Sequence, residues 1–301
     1  MSVSTTAPAK ERAPQPSPSR ARKRSPALLL ILPSLIFMLL LFAYPLAQGI
    51  ITAFSDPSGG FTLGHWERMV GDNKFIPALR NTMLLIVVLI PLQFAFALAM
   101  ALLLQEKPRL SGMYFYFWAI PLAVSDLAAG LVWLSIFQDR GYLNSVLDGV
   151  GLPVVSWLHY ENTTTMFIAV LCAELWRATS LVLVIVVSGM QGIPKDYAEA
   201  AAVFNANYWK RLRHVILPLL KPSLQVALIL RTILAFQTFA VAQALTGENF
   251  PLLVGETYRW YNFLTNPYVA SAYALLILGI SMVTAVVYLR VLRDQSQVGK
   301  R

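Results

Sequence analysis

Six apolar runs separated by short polar stretches constrain this 301-residue chain more than any other feature. They are Ala27–Phe54, Asn81–Leu104, Met113–Phe137, Met166–Met190, Val215–Leu245 and Ala270–Leu292. Each is near or above the roughly 20 residues a helix needs to cross the hydrocarbon core of a bilayer. No water reaches backbone N–H and C=O groups there, so such a run must satisfy them within itself, as a helix. The expected fold is therefore all-α, a polytopic membrane protein with six transmembrane helices. Pro33, Pro45, Pro91, Pro121 and Pro218 interrupt the runs, and a kink is the ordinary outcome of proline in a helix. Only 13% of the residues are charged, against about 25% in soluble domains, and those charges collect between the runs. The one cysteine, Cys172, lies inside an apolar run, which excludes an intrachain disulfide and a thiolate metal cluster.

Six spans return the chain to the side from which it started. That side holds 17 Lys and Arg residues and the opposite side holds 5. Short cytoplasmic loops carry the excess of Lys and Arg, so the N- and C-termini are expected in the cytoplasm. The formal net charge of +9 follows this topology, and nucleic acid is not an expected partner; membrane lipid is. The first run is too long for the apolar segment of a signal peptide, about 7–15 residues, and reads as an uncleaved span. Residues 1–26, rich in Pro, Ser, Ala and Arg, cannot bury enough apolar surface to offset ordering and read as a disordered basic tail. Residues 27–293 read as the membrane domain and 294–301 as a second cytoplasmic tail.

Between the fourth and fifth runs stands IPKDYAEAAAVFNANYWKRLRHVILPLLKP. Pro194 suits the first position of a helix, and Asp196 in its first turn suits the helix dipole. Ala198, Ala200, Ala201 and Ala202 favour a helix with a low-relief surface. Asn205 tolerates the left-handed turn that ends such a helix, and Asn207 is placed to cap a second one from Tyr208. Lys210, Arg211 and Arg213 follow, where cytoplasmic cations belong. On these local features the stretch reads equally as a surface linker or as a helix that docks in another protein's cleft.

The stretch resembles the EAA loop, here residues 192–214, of binding-protein-dependent ABC importer permeases, whose pattern is approximately IPxELxEAAxxDGAxxWxxFxxIxLPxLxP. Glu199, Ala200 and Ala201 match the motif's name, and Trp209, Ile216, Leu217, Pro218, Leu220 and Pro222 match its remainder. Other segments are similar to the carbohydrate branch of the family, of maltose and glycerol-phosphate type. Among them are AIPLAVSDLAAGLVWLSIFQDRGYLNSVL, ELWRATSLVLVIVVSGMQGIP and LRTILAFQTFAVAQALTGENF. The likeness covers nearly all of Ala27–Arg293. Phe204 and Asn205 replace the usual Asp-Gly, Ala240 replaces a frequent Asp, and Thr246–Phe250 replaces TxGGP.

The resemblance implies a permease subunit of an ATP-driven importer of a sugar or oligosaccharide, with glycerol phosphate or a polyol as the alternative solute. It implies a second permease subunit, two ATPase subunits and an extracytoplasmic solute-binding protein as partners. Asp196, Glu199, Ala200, Ala201, Phe204, Asn205, Ala206, Leu217 and Pro218 would couple the chain to the ATPase. The chain itself contains no GxxxxGK[ST] phosphate loop, and His65, His159 and His214 have no metal-binding spacing. It is therefore not expected to be an enzyme or to bind a cofactor or metal; ATP and Mg belong to the partner ATPase. A membrane scaffold that binds an ATPase and moves nothing is the reading from another class.

Ionisable residues inside spans are costly and point to function. Asp126, Glu174, Arg177 and Arg231 are the four. Glu174 and Arg177, three apart, share a helix face. They read either as an internal ion pair that fixes packing or, with Gln237 and Gln243, as the lining of a polar cavity between the third, fourth and fifth spans. Trp133, Trp176 and Tyr273 would then be apolar platforms for a sugar, although an aromatic residue in a span more often packs or anchors.

Overall fold

The computed structural model describes residues 26–106, 109–194, 196–197, 201 and 207–291, with the backbone alone for 26–29. The tails expected at 1–26 and 294–301 lie, Pro26 apart, outside the described residues. So do Glu199, Ala200, Phe204, Asn205 and Ala206 of the coupling loop. Among the described residues no β-strand occurs; one antiparallel bridge pairs Ser55 with Phe61.

The chain divides after Gln48 into two compact units. In the first, α1 (Pro26–Met38) runs through a π turn at Leu39–Ala43 into α2 (Tyr44–Phe54), which carries the chain into the second. Pro45 has no N–H to donate and its ring crowds the carbonyl four residues earlier. The wide π turn just before it absorbs the defect. The same device recurs ahead of Pro218, where α9 (Tyr208–Arg211) passes through a π turn at Leu212–Ile216 into α10 (Leu217–Phe236). Asn207 caps α9 as expected, its Oδ1 accepting from the Lys210 amide at 2.9 Å.

The second unit also contains α3 (Gly64–Val70), α4 (Phe75–Gln105) and α5 (Ser111–Ala119). Then come α6 (Asp126–Phe137), α7 (Tyr142–Gly149) and α8 (Thr163–Gln191). After α10 follow α11 (Ala240–Thr246), α12 (Leu253–Tyr258) and α13 (Pro267–Val291). The second, fourth and sixth runs form α4, α8 and α13 with ends moved by a few residues. Asn162 caps α8 by accepting from the Thr165 amide at 3.3 Å, and Pro267 opens α13.

Two expected spans are not single helices. The run Met113–Phe137 bends by 104° between Ser111–Ala123 and Asp126–Gly149. Pro121 sits in a 3-10 turn, Val124 and Ser125 are extended, and Ser125 restarts the helix by accepting from the Ala128 amide at 3.2 Å. The run Val215–Leu245 begins earlier, at Tyr208, and breaks at Gln237–Phe239 before resuming as α11. That break contains neither Pro nor Gly. Beyond it, Val241, Ala242 and Leu245 enter a cluster with Ala129, Phe137, Ala169 and Val170, so packing rather than local propensity turns the chain.

Apolar layers sandwich a polar one. Leu85, Leu89, Ala169, Ala173 and, beyond the end of α10, Val241 belong to one cluster; Ala97, Ala101, Val182, Val186 and Ala227 belong to another. Between them in sequence, on α4, α8 and α10, fall Gln93, Glu174 and Arg231, all buried. A third cluster joins α3, the start of α4, α12 and α13. Two close helix crossings fix this arrangement. A Cβ on Gly130 of α6 would lie 2.6 Å from the Ala244 Cβ and 3.1 Å from the Val241 carbonyl oxygen of α11. One on Gly189 of α8 would lie 2.6 Å from the Ser223 Cβ of α10.

Gly130→Val is expected to force α6 and α11 apart, costing on the order of 1–3 kcal/mol or more by overpacking. Gly279→Ala, where nothing lies within 4 Å, is expected to be neutral or to gain up to about 1 kcal/mol of helix propensity. Thermal unfolding of the two purified variants in one detergent distinguishes these outcomes; equal stability would refute the close crossing.

Candidate functional site in the middle of the bundle

Gln93, Glu174, Arg177, Arg231 and Asp126 form one connected chain of polar side chains. Glu174 and Arg231 are each 1% exposed and Gln93 is fully buried. The Arg231 Nη2 donates to Glu174 Oε2 at 3.0 Å, and its Nε donates to Gln93 Oε1 at 2.8 Å. Gln93 Nε2 donates to the Glu174 backbone carbonyl at 3.2 Å. Arg177, one helical turn along α8, donates from Nη2 to the Glu174 carboxylate at 3.3 Å and pairs through Nη1 with Asp126 at 2.7 Å. The chain runs from a sealed end at Gln93 to an open end at Asp126, whose side chain is 51% exposed. Two carboxylates and two guanidinium groups leave it formally neutral.

The sequence elements explain the placement. Glu174 and Arg177 share a face of α8 by their spacing. Arg231 comes from the facing α10, and Asp126 is delivered by the restart of the third span at Ser125. Gln93 escapes a search confined to ionisable residues. Its signal is a carboxamide two residues after Pro91, in the middle of an apolar stretch from Met83 to Leu104.

The other expected site residues lie elsewhere. Trp133 stacks on Phe137 at 5.6 Å and meets Trp176 edge-on at 6.2 Å, within the apolar packing of α6 and α8. Gln237 is exposed at the helix break. Gln243 lines a cavity of about 20 Å³ together with Glu248, Glu256 and Arg259, room for one water. Tyr273 is fully buried in the third cluster, edge-on to Phe75. None of these four makes a hydrogen bond to the ion chain among the described residues.

A second network holds the segment between the fifth and sixth spans. Arg259 pairs with Asp72 and, at 2.5 Å, with Glu256; the Trp260 indole N–H donates to Asp72 at 2.9 Å. Asn81 donates to the Pro251 carbonyl, and the Leu253 amide donates to Thr82, each at 3.1 Å. Burial pushes the Glu256 carboxyl above its ordinary value, opposed by the hydrogen bond and charge of Arg259.

At the opposite end, Arg211 pairs with Glu106 at 3.3 Å beside a cleft of about 750 Å³ lined by Ala101, Phe115, Val187 and Gln191. Asp196 is helical and exposed, Ala201 is 8% exposed, and Leu217 and Pro218 begin α10.

A helical bundle with a charged layer inside it and several helices long and apolar enough to cross a membrane is a multi-pass membrane protein built around a polar core. Residues 95–296 match the family described as binding-protein-dependent transport system inner membrane component. The chain belongs to that family. It is 32% identical over 289 residues to the sulfoquinovosyl glycerol transport system permease protein SmoG of Agrobacterium fabrum, covering 89% of this chain and 91% of the relative. It is 30% identical over 237 residues to the trehalose/maltose transport system permease protein MalF of Thermococcus litoralis, covering 76% and 78%. A solved bacterial ABC transporter involved in the import of the acidic polysaccharide alginate has the same fold. Its TM-score is 0.76 at 18% identity, with 90% of this chain and 96% of that one covered.

Glu174 serves two cations, so its removal is expected to harm the fold most. Breaking a buried pair from one side costs about 3–5 kcal/mol. The expected order of destabilisation is Glu174→Gln above Arg231→Met, with Arg177→Gln, 20% exposed, the mildest. Thermal melts of the purified variants test the order, and a wild-type melt for Glu174→Gln contradicts the shared-carboxylate geometry.

The raised Glu256 carboxyl predicts a pH effect of definite sign. The folded state holds this proton at pH values where the unfolded chain, near 4.5, has lost it. This contribution to stability is therefore present at low pH and lost as pH rises through the folded value. Glu256→Gln is expected to flatten that part of the pH profile, which a series of melts from acid to neutral pH measures.

Proposed function

We propose that this chain is one permease subunit of an ATP-driven importer that carries a sugar or similar hydroxyl-rich solute into the cytoplasm. The observation that carries the reading is the 32% identity to a sulfoquinovosyl glycerol permease, sustained over 89% of the chain. In this reading a second permease subunit completes the pathway and an extracytoplasmic binding protein delivers the solute. Two ATPase subunits bind ATP and Mg and do the hydrolysis. The distribution of Lys and Arg, 17 against 5, supports cytoplasmic termini and a cytoplasmic coupling loop.

The loop would dock in the ATPase through Asp196, Glu199, Ala200, Ala201, Phe204, Asn205 and Ala206, and transmit its movement through Leu217 and Pro218 to α10. Support comes from the motif itself and from the cap at Asn207, which starts a helix continuous with the fifth span. Asp126, Glu174, Arg177 and Arg231 contribute a neutral polar layer at the depth where a hydroxylated solute has to exchange hydrogen bonds during passage. Gln237, Gln243, Trp133 and Tyr273 are further from that layer in bonding terms and are weaker choices for solute contact.

Glycerol phosphate is favoured by a 27% identical relative, the sn-glycerol-3-phosphate transport system permease protein UgpA of Agrobacterium fabrum. The pairing of Arg177 and Arg231 with Asp126 and Glu174 opposes it, since a phosphate would have to displace a carboxylate. An inert scaffold would have no use for a costly charged layer.

Uptake of a labelled panel of neutral sugars and glycerol 3-phosphate by a strain lacking this chain, with and without the chain restored, tests the reading. Restored uptake of a sugar is the expected result, and restored uptake of none contradicts transport of this class. Glu199→Lys is expected to abolish solute-stimulated ATP turnover while the subunit still inserts in the membrane; unchanged coupled turnover refutes the docking role.

A further inference from the structure

Three aromatic rings form one line at the outer end of the fifth span. The centroids of Phe239 and Tyr258 are 5.0 Å apart, and those of Tyr258 and Phe263 are 5.8 Å apart. Phe239 is half-buried, while Tyr258 is 41% exposed and Phe263 60% exposed. The line therefore has an open side, apart from the ion chain, to which nothing above gives a role.

Two backbone irregularities bring these rings together. Phe239 ends the break between α10 and α11, which no proline or glycine causes. Tyr258 and Phe263 bracket a π turn at Arg259–Phe263, where the Leu264 amide donates to the Arg259 carbonyl at 3.0 Å. Residues five apart stand about 140° apart around an α-helix of 3.6 residues per turn; the wider turn swings them to one side. The π turns at Leu39–Ala43 and Leu212–Ile216 each end two residues before a proline. This third one has no such cause, the next proline being Pro267, and π turns of this kind are frequent at functional sites. Asn262, exposed within the turn, donates from Nδ2 to the Tyr258 carbonyl at 3.3 Å, and its Oδ1 has no partner among the described residues.

The surroundings select the occupant. Lys221 is the last cation on α10 before Arg231, and Gln237 follows it by sixteen residues, about 24 Å of helix and short of the roughly 30 Å of hydrocarbon. Non-helical backbone at that depth is tolerated only against protein or a water-filled cavity. Gln237 is exposed there, without a side-chain hydrogen bond among the described residues, so lipid does not fit. An ion does not fit either. The charged residues that share a cavity wall with Phe239 are Glu248, Glu256 and Arg259. Glu248 pairs with Lys74, and Arg259 pairs with Glu256 and Asp72. A pyranose presents C–H faces that stack on aromatic rings and hydroxyls that bond to carboxamides. A ring line bordered by Gln237 and Asn262 offers both, an apolar surface with a few placed polar groups.

We propose that Phe239, Tyr258 and Phe263 form a stacking site for a neutral sugar ring at the outer entrance to the broken fifth span, occupied before the solute reaches the ion chain. The site rests on the reading of this chain as a sugar permease.

Uptake of labelled trehalose, maltose and sulfoquinovosyl glycerol by a strain lacking this chain tests the site, with the native chain or a variant restored. Tyr258→Leu and Phe263→Leu keep apolar bulk and remove the ring face; Tyr258→Phe and Phe263→Tyr keep the ring. Tyr261→Leu, 61% exposed on the same turn but outside the ring line, is the control. Rates are scaled to the complex that co-purifies with the other subunits. The two ring-deleting variants are expected to slow uptake of the sugar that the native chain carries by about fivefold or more. The ring-keeping variants and the control are expected to stay close to the native rate. Native rates in both ring-deleting variants overturn the site and leave the sugar reading standing, as do equal losses in the ring-keeping ones. Failure of the ring-deleting variants to co-purify shows a face covered by a partner subunit and also overturns the site. Uptake of none of the three sugars with the native chain overturns the sugar reading, and the site with it.

Discussion

Glu174 accepts from two guanidinium groups in the middle of an otherwise apolar bundle, and the positions of four helices follow from that. A carboxylate there, without partners, would carry a desolvation cost of several kcal/mol. Arg231 from α10 and Arg177 from its own helix offset it, Gln93 from α4 ties off Arg231, and Asp126 from α6 ties off Arg177. Each partner lies on a different segment or a different turn, so the ion chain works as a register pin. Sliding α10 by one turn against α8 would take Arg231 from both Glu174 and Gln93 and leave a buried guanidinium unpaired. Apolar packing above and below is far more forgiving of such a slide.

The pin also explains why two spans break where they do. The third span must present Asp126 to Arg177, and the Ser125 cap lets a fresh helix start at that residue. The fifth span must hold Arg231 against Glu174 and then send α11 across Gly130 at near-contact distance. A straight continuation of α10 would not meet both demands. The polar layer and the close glycine crossing thus both act on the third and fifth spans, the first through α6 and α10 and the second through α6 and α11. The breaks place backbone ends and exposed polar groups, Asp126 and Gln237, near the core of a transport protein.

Much of this was legible in the residues. The apolar runs located α4, α8 and α13 to within a few residues at most ends, because each is long and nearly uncharged. Asn207 was readable as a cap because its side chain acts on an amide three residues away. The pairing of Glu174 with Arg177 followed from a spacing of three on a helix. The tie from Gln93 did not, since nothing local links residues 93 and 231. The link from Asp72 to Arg259 was missed for the same reason, since the two are separated by most of the chain, whereas Glu256 and Arg259, three apart, were missed because they lie outside the apolar runs that were searched for charges.

The sequence by itself determined that the chain is helical, that it crosses a membrane several times, and that its four in-span charges had to find one another or leave the lipid. Those conclusions rest on backbone hydrogen bonding and desolvation, which depend on composition over a window of residues. Only the tertiary structure decided which charge meets which, that Trp133 lies against Phe137 and Trp176 and Tyr273 against Phe75, and that the third and fifth spans are broken. The break at Gln237–Phe239 has no proline, glycine or capping side chain to announce it. It exists because Val241, Ala242 and Leu245 are better buried against α6 and α8 than along a straight helix, and that comparison involves residues about seventy to more than a hundred positions apart.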